Sequence, residues 1–272
     1  MTLIVAHKHK KLPKSIALTC CAILALSGNG LSAKAAETRS GNSRRTFADW
    51  CRQKAALSPE AKRTVELLLQ KAKTTECNAA NLKLSSLTYL DLDNNKISDI
   101  KPLQSLTNLT RLELEKNKIS DIKPLQSLTN LTWLVLDNNK ISDIKPLQSL
   151  TQLSLLGLEK NQISDIKPLQ SLTNLTLLGI GDNKISDIKP LQSLTKLILI
   201  SLKNNQIRDI KPLQSLTNLN SLVLDNNQIR DIKPLQSLTN LTDLYLSGNP
   251  IAPKTCPLKP ASICKWQPQT KP

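Results

Sequence analysis

The chain has 272 residues, enough for one large domain or two small ones, and only 2% are aromatic, so Leu and Ile must supply any core. Its formal charge of +16 raises a nucleic-acid or membrane-surface reading that depends on where the charge sits. Five of the 37 basic residues and no acidic ones fall in 1–35; the rest divides as +4 over 36–81, +3 over 82–249 and +4 over 250–272. The long middle is nearly balanced, which argues against a continuous basic groove, and no nucleic-acid partner is expected.

In chain order, the first element is a targeting segment. Lys8, Lys10, Lys11 and Lys14 precede a short apolar run, SIALTCCAILALS (15–27), and Ala33-Lys34-Ala35 matches an A-x-A cleavage site. Residues 1–35 therefore read as a secretory signal peptide, and the protein as exported, periplasmic or extracellular. The alternatives are an uncleaved anchor and a lipoprotein; against the second, the apolar run continues past Cys20 and Cys21. No second hydrophobic span follows, so no transmembrane anchor is expected after cleavage. Residues 36–46 read as a disordered linker.

Residues 47–81 read as a helical N-terminal cap. Phe47 and Trp50 are expected on a short helix. Ser58 before Pro59 is a helix start, with Ser as N-cap and Pro at the first helical position. Ala61, Val65, Leu68, Leu69 and Ala72 then recur at amphipathic spacing.

Residues 82–249 hold eight 22-residue units without insertion, and the nonapeptide DIKPLQSLT returns at 99, 121, 143, 165, 187, 209 and 231. The unit reads LTxLxLxxNxISDIKPLQSLTN, with Asn95, Asn117, Asn139, Asn161, Asn183, Asn205, Asn227 and Asn249 in register. L-x-L alternates and predicts a short strand with its leucines inward, stacked in parallel at ~4.8 Å. The Asn turns the chain away from the sheet and can satisfy backbone groups that the turn leaves bare. Asp99 and its copies are expected to cap a helical turn begun by IKPL, 3₁₀ rather than α because the return arm is short. One unit cannot bury its own apolar face, so the units must share a core.

Residues 250–266 break the period and read as a C-terminal cap, with Pro expected to prevent another strand; 267–272 read as a disordered tail. Beyond residue 35 four cysteines remain, allowing three pairings. Their clustering favours Cys51–Cys77 and Cys256–Cys264 in an oxidising compartment; four buried thiols are the alternative.

The repeat is the leucine-rich repeat pattern. FADWC, TTEC, ISDIKPL and GNPI…TC…SIC across residues 47–266 resemble the internalin-like 22-residue class, and look closest to the short exported leucine-rich repeat proteins common in cyanobacteria. The resemblance implies an α/β fold, a right-handed solenoid with a parallel sheet on its concave face and short turns on its convex face. It also implies a concave face that binds protein. The Ig-like domain and wall-anchoring signal of internalins find no match here, which puts host-cell adhesion in doubt.

The third, fifth, seventh and eighth positions of the repeat vary, and all four are expected to face the concave side. The third column contains Tyr89, Arg111, Trp133, Leu155, Leu177 and Leu199; the fifth contains Asp91, Glu113, Val135 and Tyr245; the seventh contains Asp93, Glu115 and Asp137. These thirteen residues are the candidate protein-binding site. Tyr89, Trp133 and Tyr245 would be interface anchors, and Leu155, Leu177 and Leu199 an exposed apolar row beside Gly157, Gly179, Gly181 and Ser201. Asp91, Asp93, Glu113, Glu115 and Asp137 would form an acidic cluster, partly neutralised by Arg111 and Lys116. The expected partner is an unidentified protein with an apolar anchor and a basic rim, bound by a monomer.

Catalysis is not expected. His7 and His9 are the only histidines and both lie in the leader, which removes His triads and His metal ligands from the remainder. No Gly-rich phosphate loop occurs, and no cofactor or metal is expected. Asp91, Glu113 and Asp137 are the residues that could hold Ca²⁺, but columns of acids on a solenoid are ordinarily solvated. An envelope component binding glycans or polyanions through its basic ends, and an inhibitor of an exported enzyme, are the alternative functions.

Overall fold

The computed structural model describes residues 45–267. The expected signal peptide (1–35), most of the expected linker (36–44) and the expected tail from 268 lie outside the described residues. Arg45 and Thr46 belong to the cap: Thr46 forms a capping box with Asp49 at the start of α1, Phe47–Arg52, and Arg45 stacks on Trp50 at 3.8 Å. Helix α2, Pro59–Ala72, begins as its sequence dictates, with the Ser58 side chain accepting from the Ala61 N–H. Helix α3, Cys77–Ser85, runs past the boundary expected at 81. The Cys51–Cys77 disulfide ties α1 to α3.

Each repeat then contributes one three-residue strand, from β1 (Tyr89–Asp91) and β2 (Arg111–Glu113) through β3 (Trp133–Val135), β4 (Leu155–Gly157), β5 (Leu177–Gly179), β6 (Leu199–Ser201) and β7 (Ser221–Val223) to β8 (Asp243–Tyr245). All pair in parallel and in sequence order, with a register of one repeat per rung, as in Tyr89↔Arg111↔Trp133. A ninth strand, β9 (Cys264–Lys265), pairs with β8, correcting the expectation that proline ends the sheet. Pro250, Pro253, Pro257 and Pro260 all precede this dipeptide, so both of its residues keep the backbone N–H that proline would remove, and Leu246 N–H donates to Lys265 O at 2.9 Å. Cys256–Cys264 closes this last turn.

Opposite the strands lie short 3₁₀ turns, Lys123–Ser127 being typical. The Asp of each arm accepts from the Lys N–H two residues on, as Asp121 does from Lys123 at 2.8 Å, so it stabilises the turn from one residue outside the N-cap. The hydroxyl of Ser127 donates to Gln104 O at 2.7 Å and Asn130 Nδ2 to Thr107 O at 2.9 Å. Each arm is thereby stitched to the arm before it. Six of the nine positions of the repeated nonapeptide are explained: Ile, Leu and Leu enter the core, Asp and Pro shape the turn, and Ser links the arms. In the first arm Ser105 Oγ is buried with no partner, because no arm precedes it; α2 takes that place, with Thr64 donating to Asp99 O at 2.6 Å.

The core is one unbroken aliphatic column. Leu112, Leu114, Ile119, Ile122, Leu125, Leu128 and Leu131 are buried and their counterparts follow them down the stack. Each such side chain contributes about 1.5–3 kcal/mol relative to exposure. Beside it runs an amide column. Asn117 Oδ1 accepts from the Asn95 and Ile97 N–H groups at 3.1 Å, and its Nδ2 donates to Leu92 O and Leu114 O. From the first repeat to the seventh, the turn is completed by the Asn of the following repeat, whose Oδ1 accepts from the Ile N–H, as Asn139 does from Ile119 at 3.0 Å and Asn249 from Ile229 at 3.2 Å.

Candidate functional site

The third and fifth columns lie on the strands and the seventh and eighth in the turn that follows, the eighth in left-handed backbone at the edge of the strand face; aromatic and charged contacts join the first three rungs. Strands β1 to β3 set Tyr89, Arg111 and Trp133 side by side. The Arg111 guanidinium lies 5.0 Å from the Tyr89 ring centroid and 4.3 Å from that of Trp133, within the range of cation–π attraction. It also bonds Glu113 Oε1 at 2.6 Å through Nη2 and 3.1 Å through Nε. Tyr89 OH donates to Glu113 Oε2 at 3.3 Å. Glu113 is thus buried beneath the aromatic–arginine layer and fixes its geometry. Burial, reinforced by the Glu113 and Asp91 charges, pushes the Tyr89 phenol up to about 12, so it stays a donor. Tyr89 is 47% exposed, and Arg111 and Trp133 are half-buried.

The aliphatic continuation differs from expectation at Leu155 and Val135, which are both buried. Leu155 is 1% exposed and offers no surface. It lies in register between Trp133 and Leu177. Leu177 and Leu199 remain half-buried, and Val135 is buried. Tyr245, half-buried on β8, stands five rungs from Trp133 and forms no part of the aromatic layer.

The acids divide into two groups. Asp91, Asp93 and Glu113 bring their oxygens within 4.8 Å of one another. Asp137, which the sequence places beside Asp91 and Glu113 as a candidate ligand, is not one of that trio. Asp93 Oδ1 accepts from Glu115 N–H at 2.6 Å, and Lys116 pairs with Glu115 at 3.1 Å. Asp137 is 4% exposed and accepts from Glu159 N–H at 2.8 Å, over Gly157, where a Cβ would sit 2.9 Å from Asp137 Oδ1. Burial first, and the charge of Glu159 second, raise the Asp137 carboxyl to about 7.

A charge network beside Asp137 is absent from the sequence-derived site. Glu159 is 2% exposed; Lys203, two repeats on, reaches its Oε2 at 3.4 Å and Asp182 at 3.6 Å. The stem of Lys203 passes over Gly181, where a Cβ would meet its Cγ at 2.8 Å. The signal was legible in the seventh column: opposite charges at Glu159 and Lys203 with a glycine between them.

Residues 85–127, 129–171, 173–215, 192–237 and 217–259 match the family model described as leucine rich repeats in two copies. No curated protein sequence matches the chain. Among solved structures, internalin C2 of Listeria monocytogenes is 32% identical with a TM-score of 0.71, over 82% of this chain and 96% of that one. An internalin F of the same organism is 41% identical with a TM-score of 0.65, over 69% of this chain and 56% of that one. A leucine-rich repeat protein of Leptospira interrogans is 30% identical with a TM-score of 0.54, over 64% and 52%. The repeat period, the asparagine column, the single parallel sheet and these matches agree: the chain belongs to the leucine-rich repeat family.

Proposed function

We propose that this is an exported binding protein that holds a protein partner on its concave strand face, centred on Tyr89, Arg111 and Trp133 and extending over Leu177 and Leu199. The observation that carries the reading is the Tyr89–Arg111–Trp133 layer, held in place from below by Glu113. Tyr, Trp and Arg are the residues that most often anchor interfaces, and here their geometry is set before any partner arrives, which lowers the ordering cost of binding. The acids around the layer favour a partner that brings Lys or Arg to its rim. Two disulfides support folding in an oxidising compartment. The leucine-rich repeat scaffold serves generally for binding, and catalysis forms no part of this reading.

The test is affinity capture from the source cell's envelope and medium, with the parent chain beside a Tyr89→Ser, Trp133→Ser, Leu177→Ser variant of unchanged thermal stability. The reading expects a discrete protein captured by the parent, with affinity lowered at least about 100-fold in the variant. Equal capture by both would remove the strand face from the account.

A further inference from the structure

The near-neutral total over residues 82–249 conceals a division of charge between faces. On the strand face, the third, fifth and seventh columns hold eight carboxylates against Arg111 and Lys203 alone. In the 3₁₀ arms, Asp and Lys alternate and cancel. The flank between them, formed by the eighth, tenth and twelfth columns, holds eight Lys and Arg residues against Asp182 alone.

The backbone makes this flank a regular row. Lys118 N–H donates to Ile97 O at 2.9 Å, Lys140 N–H to Ile119 O at 2.8 Å, and Lys184 N–H to Ile163 O at 2.8 Å, so the tenth column climbs one rung per repeat. The isoleucines of the eleventh column point into the core. Their neighbours on either side, Lys96, Lys118, Lys140, Lys184, Arg208 and Arg230, are exposed. From Lys96 to Arg230 the row spans six rungs, or ~29 Å at ~4.8 Å each. Arg208 donates to Gln228 at 2.7 Å, and these two line a surface hollow with Arg230 and Pro250. Lys116 and Lys160 add to the row from the eighth column, where φ is 55° and 54°. The other units put Asn, Asp or Gly at that left-handed position, which suits them better than Lys.

We propose that this flank is a second binding surface, distinct from the strand face, which holds a linear anionic polysaccharide along the axis of the solenoid. The rung spacing is about the length of one extended sugar residue, so a chain with a carboxylate or sulfate on each sugar meets a cation at nearly every rung. The remaining positions of the three columns in the first seven repeats are Asn, Gln and Ser, which suit sugar hydroxyls. The same seven repeats place no aromatic residue there on which bases would stack, and no apolar one that would enter a bilayer.

The test compares two variants of equal net charge. One neutralises the flank (Lys118→Gln, Lys140→Gln, Lys184→Gln, Arg230→Gln); the other neutralises the arms (Lys123→Gln, Lys145→Gln, Lys189→Gln, Lys233→Gln). Binding to polygalacturonate and to dextran sulfate is measured between about 0.05 and 0.2 M salt, beside neutral dextran, phosphatidylglycerol vesicles and single-stranded DNA. The proposal expects the parent to bind at least one acidic polysaccharide more tightly than vesicles or DNA. It expects the flank variant to lose about tenfold or more with a flatter salt dependence, and the arm variant to lose less than about threefold. Equal losses in the two variants, no binding by the parent, or tighter binding of vesicles or DNA would each overturn it. Both variants change exposed side chains, and a melting curve for each confirms that the comparison is between folded proteins.

Discussion

The 3₁₀ arms and the strand columns occupy opposite faces of the same 22-residue unit, and they treat sequence differently. In the arms nine residues recur seven times, because nearly every one has a neighbour in the adjoining arm or a place in the core. On the strand face the inward positions stay Leu or Ile, while the outward positions run from Tyr89 and Arg111 to Gly179 and Ser201. Uniformity marks where each repeat must fit the next; variation marks where the protein is free to face something else.

The sharpest test of that contrast pairs two leucines. Leu169, buried in an arm, should cost about 3–4 kcal/mol when changed to Ala. Leu177→Ala, on the strand face, should cost less than about 1 kcal/mol; denaturant midpoints with unchanged m-values give both numbers. Next comes the amide column. Asn161 accepts from Ile141 N–H and donates to Leu136 O and Leu158 O, so Asn161→Ala leaves buried groups bare in two repeats and should cost about 2–3 kcal/mol. A loss below about 1 kcal/mol would mean that water replaces the amide.

A smaller effect, of opposite sign, is expected at Asp137. Its folded carboxyl titrates near 7, against an ordinary 3.8. The folded state therefore retains a proton that the unfolded chain has released, and the stability this gives is complete below pH 4 and lost as pH rises through 7. Glu159, Glu115 and Asp93 face the same group. Asp137→Asn keeps the acceptor for Glu159 N–H and removes the charge, so it should stabilise by about 1–2 kcal/mol at pH 8 and by little at pH 4. Thermal melts at the two pH values measure the difference; an equal gain at both would assign it to packing. The smallest expected change is Lys160→Asn, a gain of about 0.5 kcal/mol from relieving a left-handed lysine, read as a shift in melting temperature.

Much of the fold was legible because its signals are local or periodic. The asparagine register, the Ser58–Pro59 helix start and the cysteine clustering each depend on residues close in sequence or one period apart. Leu155 was not legible in the same way. It holds the same place in the repeat as Leu177, yet it is buried and Leu177 is half-buried, a difference the repeat pattern does not carry. The β9 dipeptide was hidden because prolines crowd the segment before it, not the two residues that pair. The basic flank escaped a count of total charge for a simpler reason: opposite charges cancel in a sum but not across a surface.

The backward reach of the asparagines sets a rule for how such a chain can change length. Asn117 completes the turn of the repeat before it, and Asn139 does the same for the repeat of Asn117. A unit thus needs only the next asparagine, whichever copy supplies it. Duplicating or deleting a block of 22 codons within the array leaves the asparagine bonds at each junction the same. The array can lengthen its strand face and its flank in one genetic event, without substitutions in the amide column.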